Sequence, residues 1–427
     1  MSTPTPWAIL LTKWKDKPDE PKPLGFFQQL FTTAGTGTFN MTDYFDTMSH
    51  GSIDLSGSKV FGWFTLDQNQ SAYVGNATPA AGQLGRIDLV NAAKAKAQAN
   101  GVDLSKFIGV VVCMNTLTDL FGVLGGGAAL CDPGSFEPDV LGQEMGHGYA
   151  LQHSRVDGST DDYQDPWDTM STWDGCYITS NPDYTRIGPG LCAANMRYVS
   201  WLDESRVWKS SGPSFNQQII LRPLHSRSLP GFLAAELPGI AGNFLVEFRV
   251  PEDWDAAFPH PAVFVHYLLD GHSYRMVGSS GSSDLVVGDK FTFGVPSDFS
   301  SYASLHVDEI NEAEHFAKIT MGYRPLRIPH VPLLEGVVTA GVPRDGGGYI
   351  WVNGHPIPVD PWGPLVGVQT GIAAHISADQ ISDVFVRLAA KKSALASIIR
   401  TATDALDDLT HLETPPALSR GNRQNQK

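Results

Sequence analysis

Residues 143–153 read QEMGHGYALQH, and both the fold and the chemistry of the chain turn on this stretch. Positions four apart share one face of an α-helix, so Gln143 and His147 project the same way with Glu144 beside them. Pro138, with its fixed φ, suits the first turn of that helix. A helix ending near Tyr149 or Ala150 lets the chain turn back and carries His153 to the same point. Two imidazoles and an amide oxygen around one point, flanked by a carboxylate, suit a divalent cation and a general base. Ala150 stands where such a bend asks for a left-handed backbone, which glycine adopts freely and which costs alanine roughly 1 kcal/mol.

A short loop further on, Asp168-Thr169-Met170-Ser171 reads as a tight turn. The whole segment HSRVDGSTDDYQDPWDTMS, 153–171, resembles the gametolysin-type metzincins through His153, Ser154, Tyr163, Asp165 and Met170. That family tolerates glutamine at the first ligand position, as at Gln143. Two later segments, GPGLCAANMRYVSWLDESRVW at 188–208 and NFLVEFRVPEDWD at 243–255, are similar to immune inhibitor A-type peptidases. The likeness fades beyond about residue 330.

The resemblance implies a metal-dependent endopeptidase. Its metal is zinc, with copper or another divalent ion able to compete. Gln143, His147 and His153 are the expected ligands, Glu144 the base that takes a proton from water, and Met170 the Met-turn floor. Protein or peptide substrates would bind in extended form along an edge strand before the active helix. Gly125-Gly126-Gly127 reads as the turn leading into a strand at Ala128–Cys131.

An amide oxygen is a weak donor for zinc. Three arrangements therefore stay open, with the first expected: Gln143 ligates through its carbonyl, Asp157 substitutes, or the site is degenerate and empty. The rival readings from other classes are a pseudo-peptidase that keeps the fold as a binding surface, and a surface- or glycan-binding protein in which the β-rich half acts. The presence of Glu144 favours the enzyme. Five aspartates, 157, 161, 162, 165 and 168, are either a calcium-chelating group or a solvated acidic loop.

With 427 residues, 42% hydrophobic and 18% charged, the chain has the composition of folded domains. A net charge of -15 disfavours nucleic acid and anionic membrane surfaces. No apolar run approaches the roughly 20 residues needed to cross a bilayer. Cys113, Cys131, Cys176 and Cys192 suit two disulfides, with Cys176 and Cys192 able to clamp the loop after the Met-turn. The cysteines and the resemblance favour an extracellular protein, although residues 1–23 read as a first strand and not as a cleavable leader. Oligomeric state is not legible.

The expected architecture is an α/β metzincin-like catalytic domain over 1–209, with a mixed twisted sheet and the active-site helix. A β-sandwich-like domain follows over 210–330. A small C-terminal region, 331–412, carries a helix at 378–409, and 413–427 form a disordered tail. Strands are predicted at Ala8–Thr12, 108–113, Gln218–Leu221, Phe244–Val250 and Ala262–Leu268, a strand or hairpin over 52–66, and helices at Leu24–Phe31 and Ile87–Asn100.

Overall fold

The computed structural model describes residues 3–172, 178–239, 242–293 and 302–325, together with four short strands between residues 336 and 374. Two compact units emerge, 1–325 and 326–427. In the second, Gly348–Val352 pairs with His355–Val359 and Gly336–Val337 with Ala373–Ala374. The helix expected at 378–409 and the tail 413–427 lie outside the described residues, as does Cys176.

A five-stranded mixed sheet organises the first half of unit 1. Its order is Lys59–Thr65, Trp7–Lys13, Gly109–Met114, Ala128–Cys131 and Phe121–Val123. All neighbours run parallel except the last pair, which is antiparallel. Side chains alternate between the two faces of this sheet. Ile9, Leu11, Val111, Cys113, Ala129 and Cys131 pack against Leu24–Phe31, Met41–Met48 and the site helix Pro138–Gly148. On the other face, Ala8, Leu10, Val110, Val112 and Leu130 meet Leu89, Val90, Ala93 and Ala97 of the helix Arg86–Ala99.

One expectation is narrowed and one needs correction. Of the strand or hairpin expected over 52–66, it is strand that forms: Lys59–Thr65 pairs parallel with Trp7–Lys13 and Ile53–Asp54 with Thr3–Pro4, because helical crossovers let sequence-distant strands come together. Ala128–Cys131 is an interior strand, and the edge belongs to the three residues Phe121–Val123 that fold back onto it.

The second half of unit 1 is a pair of sheets around a shared apolar core. Phe244, Val246, Phe248, Val263 and Val265 come from one sheet, and Ile219, Leu221, Leu305, Val307, Ile319 and Met321 from the other. The larger sheet has six strands, and both its outermost strands come from before residue 210. Arg155–Val156 pairs parallel with His272–Arg275, and Val207–Trp208 with Ala234–Pro238. The histidine-bearing loop is therefore hydrogen-bonded into the β-rich half. The fold class is mixed α/β, sheet-rich with few helices.

Candidate metal centre and catalytic site

The site helix runs from Pro138, at its first turn, to Gly148, and is buried on every side. Burial all round explains why it shows no amphipathic stripe: LGQEMGHG is packed against the sheet, against Met41–Met48 and against the turn around Met170. Small residues allow that closeness. A Cβ on Gly146 would come within 3.0 Å of the Met170 sulfur. Met170 is fully buried in the turn Thr169–Ser171, which Asp168 caps by accepting from the Met170 N–H at 2.7 Å.

Past Gly148 the chain reverses as the spacing requires. Ala150 takes φ +71, the left-handed conformation, and its N–H donates to the His147 carbonyl at 2.9 Å. The reversal brings the rings of His147 and His153 together, with their Nε2 atoms 3.0 Å apart.

The tautomers follow from the outer partners. His147 Nδ1 lies 2.7 Å from the Leu151 carbonyl, which only accepts, so Nδ1 carries the proton. His153 Nδ1 lies 3.0 Å from Asp162, whose carboxyl is held below its usual range, against burial, by bonds from His153 and Arg155. Burial, then His153, lowers His147 to about 4, and burial lowers His153 despite Asp162. Both rings are thus neutral near pH 7, each with an unprotonated Nε2 where they meet.

The two Nε2 atoms could serve a divalent cation as two of its ligands, and an outer N–H donated to a carbonyl or carboxylate is the usual way such ligands are oriented. The Tyr163 hydroxyl donates to His153 Nε2 at 2.9 Å, with its ring 4.1 Å from the imidazole. Burial, then Glu144 and Asp162, raises Tyr163 to about 12, so it stays a neutral donor. Among the described residues, no third histidine, cysteine, aspartate or glutamate joins the pair.

Glu144 is buried. Burial raises its carboxyl to about 7, opposed first by the bond from Gln143. Gln143 Nε2 donates to Glu144 Oε1 at 3.1 Å. The Gln143 carbonyl oxygen, expected as a ligand, instead accepts from the Thr172 N–H at 3.1 Å and the Thr172 hydroxyl at 3.0 Å. Gly122 on the edge strand lies against the helix so closely that a Cβ there would sit 2.2 Å from the Glu144 carbonyl oxygen. A cleft of about 900 Å³ opens over Gln143, Glu144 and Tyr163, walled by Arg86, Asp119, Leu120 and Arg186.

The five aspartates do not converge. Asp157 is exposed and accepts from the Tyr267 hydroxyl, and Asp161 accepts from Gln164. Asp162 serves His153 and Arg155, and Asp168 takes Ser154, Asn195 and backbone N–H groups. Asp165 is fully buried, 2.9 Å from His266 Nε2.

His266 opens a buried charge chain absent from the sequence reading. It runs on to Glu247 at 3.6 Å, then to Arg249 at 3.3 Å, which forks onto Asp255. Burial works against the imidazolium, but Asp165 and Glu247 outweigh it and hold His266 at about 10. The signal was present in NFLVEFRVPEDWD: Glu247 and Arg249 interrupt an apolar strand two residues apart and so share a face. Beside this chain, His272 donates to the His153 carbonyl at 2.7 Å and Ser273 bonds Ser154.

The cysteine expectation needs correction for the described residues. Cys113, Cys131 and Cys192 are free thiols, with Cys113 and Cys131 neighbours on parallel strands, their sulfurs 3.5 Å apart. No described helix is long and apolar enough to cross a membrane.

No family model matches the chain, and no curated protein does. Among solved structures, two crystal forms of wild-type OgpA from Akkermansia muciniphila are similar at 11% identity, with TM-scores of 0.30 and 0.31. The alignments cover 77% of this chain and 95% or 96% of OgpA. Similarity at that level identifies no family.

Proposed function

We propose that the protein is a metal-dependent endopeptidase of metzincin type. The observation that carries this reading is the pair of neutral imidazoles, His147 and His153, whose Nε2 atoms lie 3.0 Å apart, with the buried Glu144 one turn before His147 on the same helix. His147 and His153 would hold the cation, and zinc suits them best. When bound, zinc lowers the pKa of a water from about 16 to about 7 and polarises the scissile carbonyl.

Glu144 takes a proton from the attacking water and returns it to the leaving amine. A carboxyl raised to about 7 by burial is suited to both transfers near neutral pH. The Tyr163 hydroxyl, a neutral donor at the same point, can stabilise the charge that develops on the carbonyl oxygen. The Leu151 and Asp162 acceptors keep the imidazoles fixed. Extended peptide has a place alongside Phe121–Val123, the open edge next to the site helix.

The test is zinc content of the purified chain together with cleavage of an unfolded protein, with and without a chelator. Glu144→Gln should abolish cleavage while zinc binding stays near normal. Full cleavage by that variant removes the mechanism. A wild-type chain without metal or cleavage points to the pseudo-peptidase.

A further inference from the structure

Resting on the peptidase reading, we infer that Gln143 is a positioning residue for Glu144 and not a ligand of the metal. A glutamine carbonyl oxygen has two lone pairs. Both are engaged here, by the Thr172 N–H and by the Thr172 hydroxyl. The orientation of the carboxamide is fixed chemically, because a backbone N–H can only donate and so must face the oxygen. The NH₂ group is thereby aimed at Glu144 Oε1, 3.1 Å away.

To ligate a cation, Gln143 would have to turn and break both bonds, taking the acceptor from the buried Thr172 hydroxyl and leaving the Thr172 N–H only its 3.1 Å contact to the Thr169 carbonyl; Gln143 and Thr172 are 3% and 9% exposed. Its gain would be one weak neutral donor. The carboxamide is better matched to the strut it already forms. Thr172 closes the turn that holds Met170, so the strut couples that turn to the carboxylate. It donates to the ionised form of Glu144 and limits the rotation of its side chain. A histidine at 143 could not accept from two groups and donate to a third in this way, which gives glutamine a use of its own here.

The experiment compares the wild type with Gln143→Met, close in volume but lacking donor and acceptor, and with Thr172→Val and Thr172→Ser. For Gln143→Met, kcat should fall roughly 10- to 100-fold with KM little changed, while zinc affinity by competition titration stays within about threefold. Thr172→Val should lower kcat in the same direction, Thr172→Ser should restore it, and the Gln143→Met/Thr172→Val double variant should be no worse than Gln143→Met alone. Zinc affinity collapsing in step with kcat in Gln143→Met would overturn the inference, as would a Thr172→Val variant with full kcat.

A readout without metal separates the two failures. In the protein with no metal added, the Gln143 side-chain amide resonances should shift when Glu144 is changed to Ala; an absent shift counts against the strut. A wild type that takes up no zinc sinks the peptidase reading instead.

Discussion

Replacing His266 with leucine tests how much the β-rich half contributes to the site loop. The imidazole lies between two buried carboxylates, 2.9 Å from Asp165 and 3.6 Å from Glu247, and all three side chains are inaccessible. Its pKa moves from 6.5 to about 10 on folding, which corresponds to roughly 5 kcal/mol of interaction favouring the folded state. Stripping one member from a buried ion pair costs about 3–5 kcal/mol by a separate route of reasoning, because the remaining charges lose compensation. His266→Leu should therefore lose about 4 kcal/mol in urea unfolding at pH 6, a large share of a typical domain's stability. The exposed pair Arg197–Glu204 serves as control, at under about 1 kcal/mol. The folded pKa is the higher one, so the contribution is complete below about pH 6.5 and is lost as pH rises through about 10. The gap between wild type and variant should narrow over that window. A gap below about 1 kcal/mol at pH 6, or one that widens with pH, refutes the reasoning.

Wild-type kcat/KM should drop about tenfold per unit below pH 7 as Glu144 takes up a proton; a profile flat down to pH 5 counts against Glu144 as base. Ala150→Gly relieves the left-handed strain at φ +71 and should stabilise the chain by up to about 1 kcal/mol, readable as a higher Tm, whereas a lower Tm would place the strain elsewhere. Gly122→Ala puts a methyl 2.2 Å from the Glu144 carbonyl oxygen and 2.8 Å from the His147 Cβ. It should cut both zinc affinity and cleavage, and a variant normal in both would mean that the edge strand yields freely.

Local signals carried the site helix well. Pro138, the spacing of Gln143, His147 and His153, and the left-handed residue at 150 all obey rules confined to a few neighbours, and the structure brings the two histidines together as that spacing implies. Leu24–Phe31 and Gly109–Met114 were legible for the same reason, one periodic and one continuously apolar. Met41–Met48 escaped notice even though Asn40 and Asp43 form a capping box, because eight residues are too few for a convincing stripe. Pairing across the sheet was the harder problem. Whether 59–65 joins 52–54 or 7–13 depends on crossovers that no local rule encodes, and the three-residue edge at 121–123 is too short to show alternation. The partners of Gln143 were illegible too, since Thr172 is 29 residues away.

His266, Glu247, Arg249 and Asp255 raise a different point, because charges inside a β-sandwich are costly and apolar residues of similar volume often pack as well or better. Their arrangement gives them a use that packing alone does not. Arg249 donates to the Trp167 carbonyl and the Gly190 carbonyl, and Asp255 accepts from the Gly190 N–H. Asp165, at the far end, accepts from the Trp167 N–H while its own N–H bonds Ser171. The chain of charges therefore grips both flanks of the Met170 turn at fixed hydrogen-bonding points. An apolar core would supply cohesion without direction, and would leave those backbone groups unsatisfied. His272 and Ser273 add the same directional hold on His153 and Ser154. Thus the β-rich half works as the outer support of the histidine pair: polar groups delivered by the second half of unit 1 hold the backbone of His153 and both flanks of the Met170 turn in place.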